Sequence, residues 1–230
     1  MRVTADEALE FFLARRSVRE FTSEPVSRPV LERLMQAATS APSNTNRQPW
    51  RFAVVTRRSL REQLAAAVHA RAEELKAIIR RGHHAEEFGN YSDFFFEPLA
   101  SAAVIIVPQY RAYPDLIANL IASGGGDPKN YHTAGSMQAE LCSTSAANMA
   151  LLLQAHAEGL GACWMAGPMI ARDQIHGLLG IVAPWTMVGA IALGHPQKVP
   201  PQSPGRKSLE RVVEWFEETD PASGPPAGAV

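Results

Sequence analysis

Cysteine is scarce. Cys142 and Cys163 are the only two in 230 residues, which excludes a disulfide-stapled scaffold and every four-cysteine metal site. No charge of one sign dominates: Lys and Arg total 22 against 23 for Asp and Glu, a formal net charge of −1. Such a chain lacks the electrostatic footprint of a nucleic-acid or anionic-membrane binder. Long hydrophobic runs are also missing. The most apolar stretches, Ala102–Val107 and Met187–Leu193, are far too short to span a bilayer. Asp6, Glu7 and Glu10 stand where a secretory signal needs an unbroken apolar segment. The expectation is a reduced, cytoplasmic protein with neither membrane nor nucleic acid as partner.

Several catalytic signatures are absent too. There is no G-x-x-x-x-G-K-[ST] segment, no H-E-x-x-H and no G-x-S-x-G elbow. Gly159-Leu160-Gly161 opens a dinucleotide fingerprint, but Trp164 occupies the position of its third glycine. A doubly wound dinucleotide fold is therefore unsupported, and the glycines read as a helix end turning into a strand. His83-His84 beside Glu86-Glu87 has metal-ligand chemistry but reads as a solvated polar segment, so no metal site is expected. Both cysteines sit among small or apolar neighbours and read as inert packed thiols.

What remains is ordinary for a soluble globule: 46% hydrophobic and 20% charged residues. Thr4 and Glu7 form a capping box opening a helix with Leu9, Phe12 and Leu13 on one side. Ser27 caps a second helix whose stripe is Val30, Leu31, Leu34, Met35 and Ala38. Further helices are expected at Ser59–Arg81, Ala171–Leu179, Ser208–Glu217 and, longest, His132–Glu158, which is apolar on several sides. Strands are expected at Arg51–Thr56 (short and buried), Ala102–Val107 (central, bounded by Pro108), Ala162–Met165 and Trp185–Leu193. Tyr110–Asn130, with three consecutive glycines, reads as a long mobile lid. Interleaved helices and strands with no linker predict a single domain over residues 1–218 of α/β or α+β class, followed by a disordered tail at 219–230.

Two segments point to chemistry. Arg15-Arg16-Ser17-Val18-Arg19 places three guanidiniums and a hydroxyl within five residues. In extended geometry Arg15, Ser17 and Arg19 share a side, a donor set suited to a phosphate monoester. Pro42-Ser43-Asn44-Thr45-Asn46-Arg47-Gln48-Pro49 sets three side-chain amides and two hydroxyls between stiffening prolines, as recognition of a planar heterocycle's edge requires.

With RRSVREF at 15–21, APSNTNRQPWRF at 41–52, GLGACWMAG at 159–167 and LGHPQKVPPQSPGRKSLE at 193–210, the chain resembles the nitroreductase family of FMN-dependent oxidoreductases. The resemblance implies an α+β fold, a mixed central sheet wrapped by helices, in an intertwined homodimer with FMN at the subunit interface. It implies further that Arg15, Arg16, Ser17 and Arg19 form the first flavin segment, in which Arg15 takes the FMN phosphate with Ser17 nearby and Arg19 approaches the pyrimidine end of the ring. Pro42, Ser43, Asn44 and Asn46, with Gln48 behind them, would lie over the partner's flavin. Trp164, Met165, Ala166 and Gly167 would form a strand end whose backbone N–H faces flavin N5, and Arg206 and Lys207 a second phosphate-binding pair. The activity implied is hydride transfer from NADH or NADPH through FMN to a nitroaromatic, quinone or similar small electron-poor acceptor, by ping-pong and without a catalytic side-chain acid or base. A specialised dehydrogenase or reductive dehalogenase of the same fold, or a non-catalytic FMN-binding protein, is the alternative. Many family members carry an acid where Ala166 stands, and neither the tyrosine-rich lid of iodotyrosine deiodinases nor the pattern of the flavin-cleaving branch is evident.

Overall fold

The structure is a computed structural model that describes residues 3–82, 93–135, 137–198 and 205–216. His83-His84, Glu86-Glu87 and the tail at 219–230 lie outside the described residues. Two compact units emerge, residues 1–200 and 201–230.

In the first unit the described residues form α1 (Ala5–Ala14), α2 (Arg28–Thr39), β1 (Trp50–Val55), α3 (Arg58–Ile79), α4 (Glu97–Ser101), β2 (Val104–Arg111), α5 (Leu116–Ser123), α6 (Ala139–Ala157), β3 (Gly161–Met165), α7 (Arg172–Leu179), β4 (Trp185–Met187) and β5 (Ala190–Gly194). The sheet order is β1-β2-β5-β3, with β4 also paired to β2. Every ladder is antiparallel. The mixed character expected of the sheet reduces to one isolated parallel bridge, Ser17 to Ala162.

Alternation along the strands builds two cores, because successive side chains leave opposite faces of a strand. Ile105, Val107, Met165, Ala190 and Ala192 pack on one face with Leu64 and Val68 of α3 and Ile175 of α7. Val104, Ile106, Ile191 and Leu193 pack on the other with Leu31 and Leu34 of α2 and Leu151 of α6. The helix-period stripe of α2 thus buries as its spacing predicts, although Ser27 makes no side-chain cap. The Thr4–Glu7 capping box of α1 does form.

Several elements differ from expectation. β1 is an edge strand, half exposed rather than buried. β2 runs through Pro108, which lies opposite Phe52 and lends its carbonyl to the Val188 N–H. The Trp185–Leu193 segment is two strands, because the backbone turns at Gly189 with φ +79. The expected lid is partly regular: α5 fills its middle, and Asp115 accepts from Ala118 N and Gly135 N, fastening both ends. α6 begins at Ala139, after Gln138 in a left-handed conformation. In the second unit the described part of the expected Ser208–Glu217 helix, residues 208–216, is not an α-helix; among these residues one 3-10 turn, Leu209–Arg211, stands among exposed apolar side chains.

A bidentate Arg33–Glu158 pair, at 2.6 and 2.7 Å, ties α2 to the end of α6. Arg33, then the Gln154 amide, hold the Glu158 carboxyl down at about 2 from its ordinary 4.5. A depressed folded-state value means the stabilisation is complete above the ordinary value and is lost as pH falls through the depressed one. Glu158→Gln should therefore lower Tm near neutrality, with the gap to wild type closing from about pH 6 to about pH 2; a gap independent of pH would show that the pair is not its source.

Candidate functional site

Antiparallel pairing of β3 against β5 carries the chain out at Trp164–Gly167, beside the N-terminal segment that bridges Ala162 through Ser17. Between them opens a cavity of about 500 Å³, lined by Ser17, Arg19, Phe95, Cys163, Trp164, Met165, Ala166, Gly167 and Ile170. One cation, one hydroxyl, two aromatic rings and a run of strand-end backbone face a single space. That is the composition of a site for a planar, polar-edged ligand, and its size lies within the range of about 300–1,000 Å³ of ligand clefts.

The rim is held from several directions. Trp164, 36% exposed, donates its indole N–H to the Val188 carbonyl at 2.9 Å. Phe95 packs closely against Gly167, leaving no room for a Cβ there. The 3-10 turn carrying Phe95 is fastened to α3 by the buried Lys76, which pairs with Asp93 and, at 2.9 Å, with Glu73. Asp93 first, then Glu73, hold the Lys76 ammonium above its ordinary range. Phe96 stacks on His69 with ring centroids 4.3 Å apart and does not line the cavity. The Phe94 side chain lies outside what is described.

The arginine segment divides. Ser17 and Arg19 face the large cavity, whereas Arg15, Arg16 and Val18 line a neighbouring pocket of about 210 Å³ with His156, Gly159 and Pro196. Arg16 donates to the carbonyls of Leu13 and Arg15, closing the end of α1. Arg15 Nε is buried and has no hydrogen-bond partner among the described residues. The field there is positive. His156 is pushed below its ordinary range by burial and then by the charges of Arg15 and Arg16. Burial raises the Cys163 thiol, with Arg19 and Arg15 opposing, so this cysteine stays protonated and unreactive although it borders the cavity.

The amide-rich loop does not line this cavity. Instead it is braced against α6. Asn44 N donates to Ser143 Oγ at 3.2 Å, Arg47 pairs with the buried Glu140 at 3.0 Å, and Ser43 Oγ accepts from Gln48 N. Gln48 Nε2 donates to Asn46 Oδ1. Thr45, Asn46 and Gln48 all have positive φ. Strain on this scale persists only where the surroundings enforce it, and it concentrates at ligand-binding segments. Pro42 precedes this turn. Arg206 and Lys207 belong to the second unit, with Arg206 engaged in an interaction.

Among the described residues no group of three His, Cys, Asp or Glu could hold a metal ion, and no helix is long and apolar enough to cross a membrane. Ile170 is a cavity residue that the sequence did not signal; nothing in its local pattern distinguishes it from core.

The family model described as "Nitroreductase family" matches residues 13–195. The chain belongs to the nitroreductase family. This nitroreductase-family chain is 30% identical over 207 residues to an NADH dehydrogenase of Thermus thermophilus, covering 88% of this chain and 93% of the relative. A BluB-like flavoprotein from Clostridium difficile shares the fold with a TM-score of 0.80 at 24% identity, over 92% of this chain and 99% of the other. A nitroreductase with bound FMN from Desulfitobacterium hafniense matches with a TM-score of 0.66 at 20% identity, over 93% and 100% of the two chains.

Proposed function

We propose that this protein is an FMN-dependent oxidoreductase that passes hydride from NADH or NADPH through its flavin to nitroaromatic, quinone or similarly electron-poor acceptors by a ping-pong route. The observation that carries the proposal is the cavity bounded by Ser17, Arg19 and Trp164–Gly167, next to an Arg15 whose buried Nε has no acceptor. Those residues fit the cofactor. Guanidiniums suit a phosphate monoester, and a half-open cleft with aromatic walls suits an isoalloxazine ring.

When bound, FMN supplies two-electron redox chemistry at its ring, and the protein supplies binding, orientation and electrostatics. Arg15 and Arg16 would hold the phosphate, and Ser17 the region beside it; Arg206 and Lys207 are proposed separately as a phosphate-binding basic pair. Arg19 would place a fixed cation at the pyrimidine edge, where reduction concentrates negative charge. Backbone N–H groups at Ala166 and Gly167 would orient the central ring. No side-chain acid or base is required. Trp164, Phe95 and Ile170 form an apolar wall along which a flat donor or acceptor can stack and exclude water.

The working form proposed is a homodimer with FMN at the interface. Two features support it. α1 and α5 bury none of their residues within the protomer, leaving Phe12 53% and Leu120 57% exposed, and apolar faces of that kind mark association surfaces. The strained loop at 43–48 does not line its own cavity, which leaves it available to serve the partner's flavin. A cytoplasmic setting fits two free thiols.

Anaerobic stopped-flow on the purified yellow holoprotein tests the reading. NADH or NADPH should bleach the flavin in one phase, and a simple quinone should restore the colour with many turnovers. Flavin that neither donor bleaches would remove the reductase reading. Bleaching without turnover on any quinone or nitroaromatic would favour the specialised enzyme or the non-catalytic protein.

A further inference from the structure

At the β1-β2-β4 side of the sheet, outside the cavity lining, the face that carries Val107 and Met187 gathers cations that the reaction so far leaves unused. In the strand register Arg51 of β1, Gln109 of β2 and Met187 of β4 form one row, and Arg111 of β2 and Trp185 of β4 form the next. Arg51 and Arg111 lie 5.9 and 6.0 Å from the Trp185 ring centroid. Arg111 also lies 4.6 Å from the Tyr113 ring, which Arg47 approaches at 5.3 Å from its own side. The order in space is therefore Arg47, Tyr113, Arg111, Trp185, Arg51: three guanidiniums interleaved with two aromatic rings.

The charges in this stack are unequally balanced. Arg47 is neutralised by Glu140. Arg51 and Arg111 pair with no carboxylate among the described residues, and the rings offset only part of their mutual repulsion. Two polar atoms beneath them are orphaned. Gln109 is 1% exposed with Oε1 lacking a partner, and Arg111 Nε is buried and likewise unpartnered. A buried acceptor and a buried donor, two residues apart on one strand face, are costly unless something occupies them. A phosphate group satisfies guanidiniums in fork geometry, and a hydroxyl on the same ligand can donate to Gln109.

The position of the cluster selects the ligand. Trp164, on the cavity rim, bonds to Val188 O, and Val188 N bonds to Pro108 O, the residue before Gln109. Trp185 lies three residues before Val188, so at most about 10 Å of extended chain separates them. That is the reach of a ribose and pyrophosphate extending from a ring stacked in the cavity. We infer that Arg51 and Arg111, flanking Trp185 above Gln109, bind the phosphate-bearing tail of the nicotinamide donor. The inference rests on the proposed function and names its donor subsite.

The test compares donors that share a reducing ring but differ in the tail. KM and kcat are measured on FMN-loaded wild type, Arg51→Gln and Arg111→Gln with NADH, with NADPH, and with 1-benzyl-1,4-dihydronicotinamide, which carries no phosphate. An uncharged and a sulfonated quinone serve as acceptors. Both variants should raise KM for NADH and NADPH roughly tenfold, the loss expected for one charge-assisted contact, and leave kcat and the benzyl donor unchanged. Arg51→Lys should recover part of the loss. Because Arg51 is exposed, its variant keeps the test decisive even if Arg111→Gln folds poorly. Equal effects on all three donors, or none, would overturn the inference and leave the reductase reading intact, as would a KM rise confined to the sulfonated quinone. A wild-type flavin that neither NADH nor NADPH reduces would instead overturn the reductase reading itself.

Discussion

Gly189→Ala should be the most destabilising single substitution in the site region and should release the cofactor. Two independent costs meet at this residue. Its φ of +79 lies where a side chain is strained, at about 1–3 kcal/mol. A Cβ there would also stand 2.2 Å from the Met165 carbonyl oxygen and 3.3 Å from Trp164 Nε1. Backbone cannot yield to such a contact as a flexible side-chain tip can, so β3 must separate from β5 at the strand end that faces the cavity, adding about 1–3 kcal/mol of overpacking cost. The sum, about 2–6 kcal/mol, is a large part of a typical total stability of about 5–15 kcal/mol, and for a chain of this size corresponds to a Tm drop of roughly 4–24 °C. Gly180→Ala is the matched control. Gly180 has φ +64 with nothing within 4 Å of the added carbon, so it reports the conformational cost without the collision. Thermal unfolding of the pair, with flavin content measured on each, separates the two contributions; equal Tm losses would show that the Met165 contact relaxes freely.

Arg15→Ala and Arg206→Ala should strip FMN from the protein while leaving the polypeptide folded. Arg15 enters the protein with its Nε buried and without a partner, so its removal leaves no new orphan behind. On the proposed placement, what is lost is a charge-assisted contact to phosphate, about 1.5–3 kcal/mol for each arginine, or roughly 10- to 150-fold in FMN affinity. The double variant should therefore purify nearly colourless, with circular dichroism and apoprotein Tm close to wild type. Flavin titration checks it. Stoichiometric FMN in the double variant would show that the phosphate is held elsewhere, whatever the activity.

Different parts of this molecule were legible in the sequence to different degrees. α2 was legible because its apolar positions recur at helical spacing and tertiary packing buries the stripe that spacing defines. β2 and β3 were legible as short apolar runs, and the arginine segment and strand end were legible as motifs. The helix expected at Ser208–Glu217 fails for the complementary reason. Leu209, Val212 and Phe216 have the spacing, but all three are exposed, and a helix of that length is marginal without burial. The single strand expected at Trp185–Leu193 fails because composition does not reveal that Gly189 must turn beneath Met165.

Local pattern by itself determined the helix α2 and the short apolar strands β2 and β3, the absence of scaffold and phosphate-loop chemistries, and the two segments whose residue types suit a flavin's phosphate and ring edge. Such features depend on neighbours within a few positions, and a linear chain displays them. The separation of Arg15 from Arg19 into adjoining pockets, the seat of Phe95 on Gly167, and the stacking of Arg51, Arg111 and Trp185 were decided only when strands distant in sequence came into register. Convergence of that kind depends on pairing across the sheet, where an offset of one residue would turn each of these side chains to the opposite face.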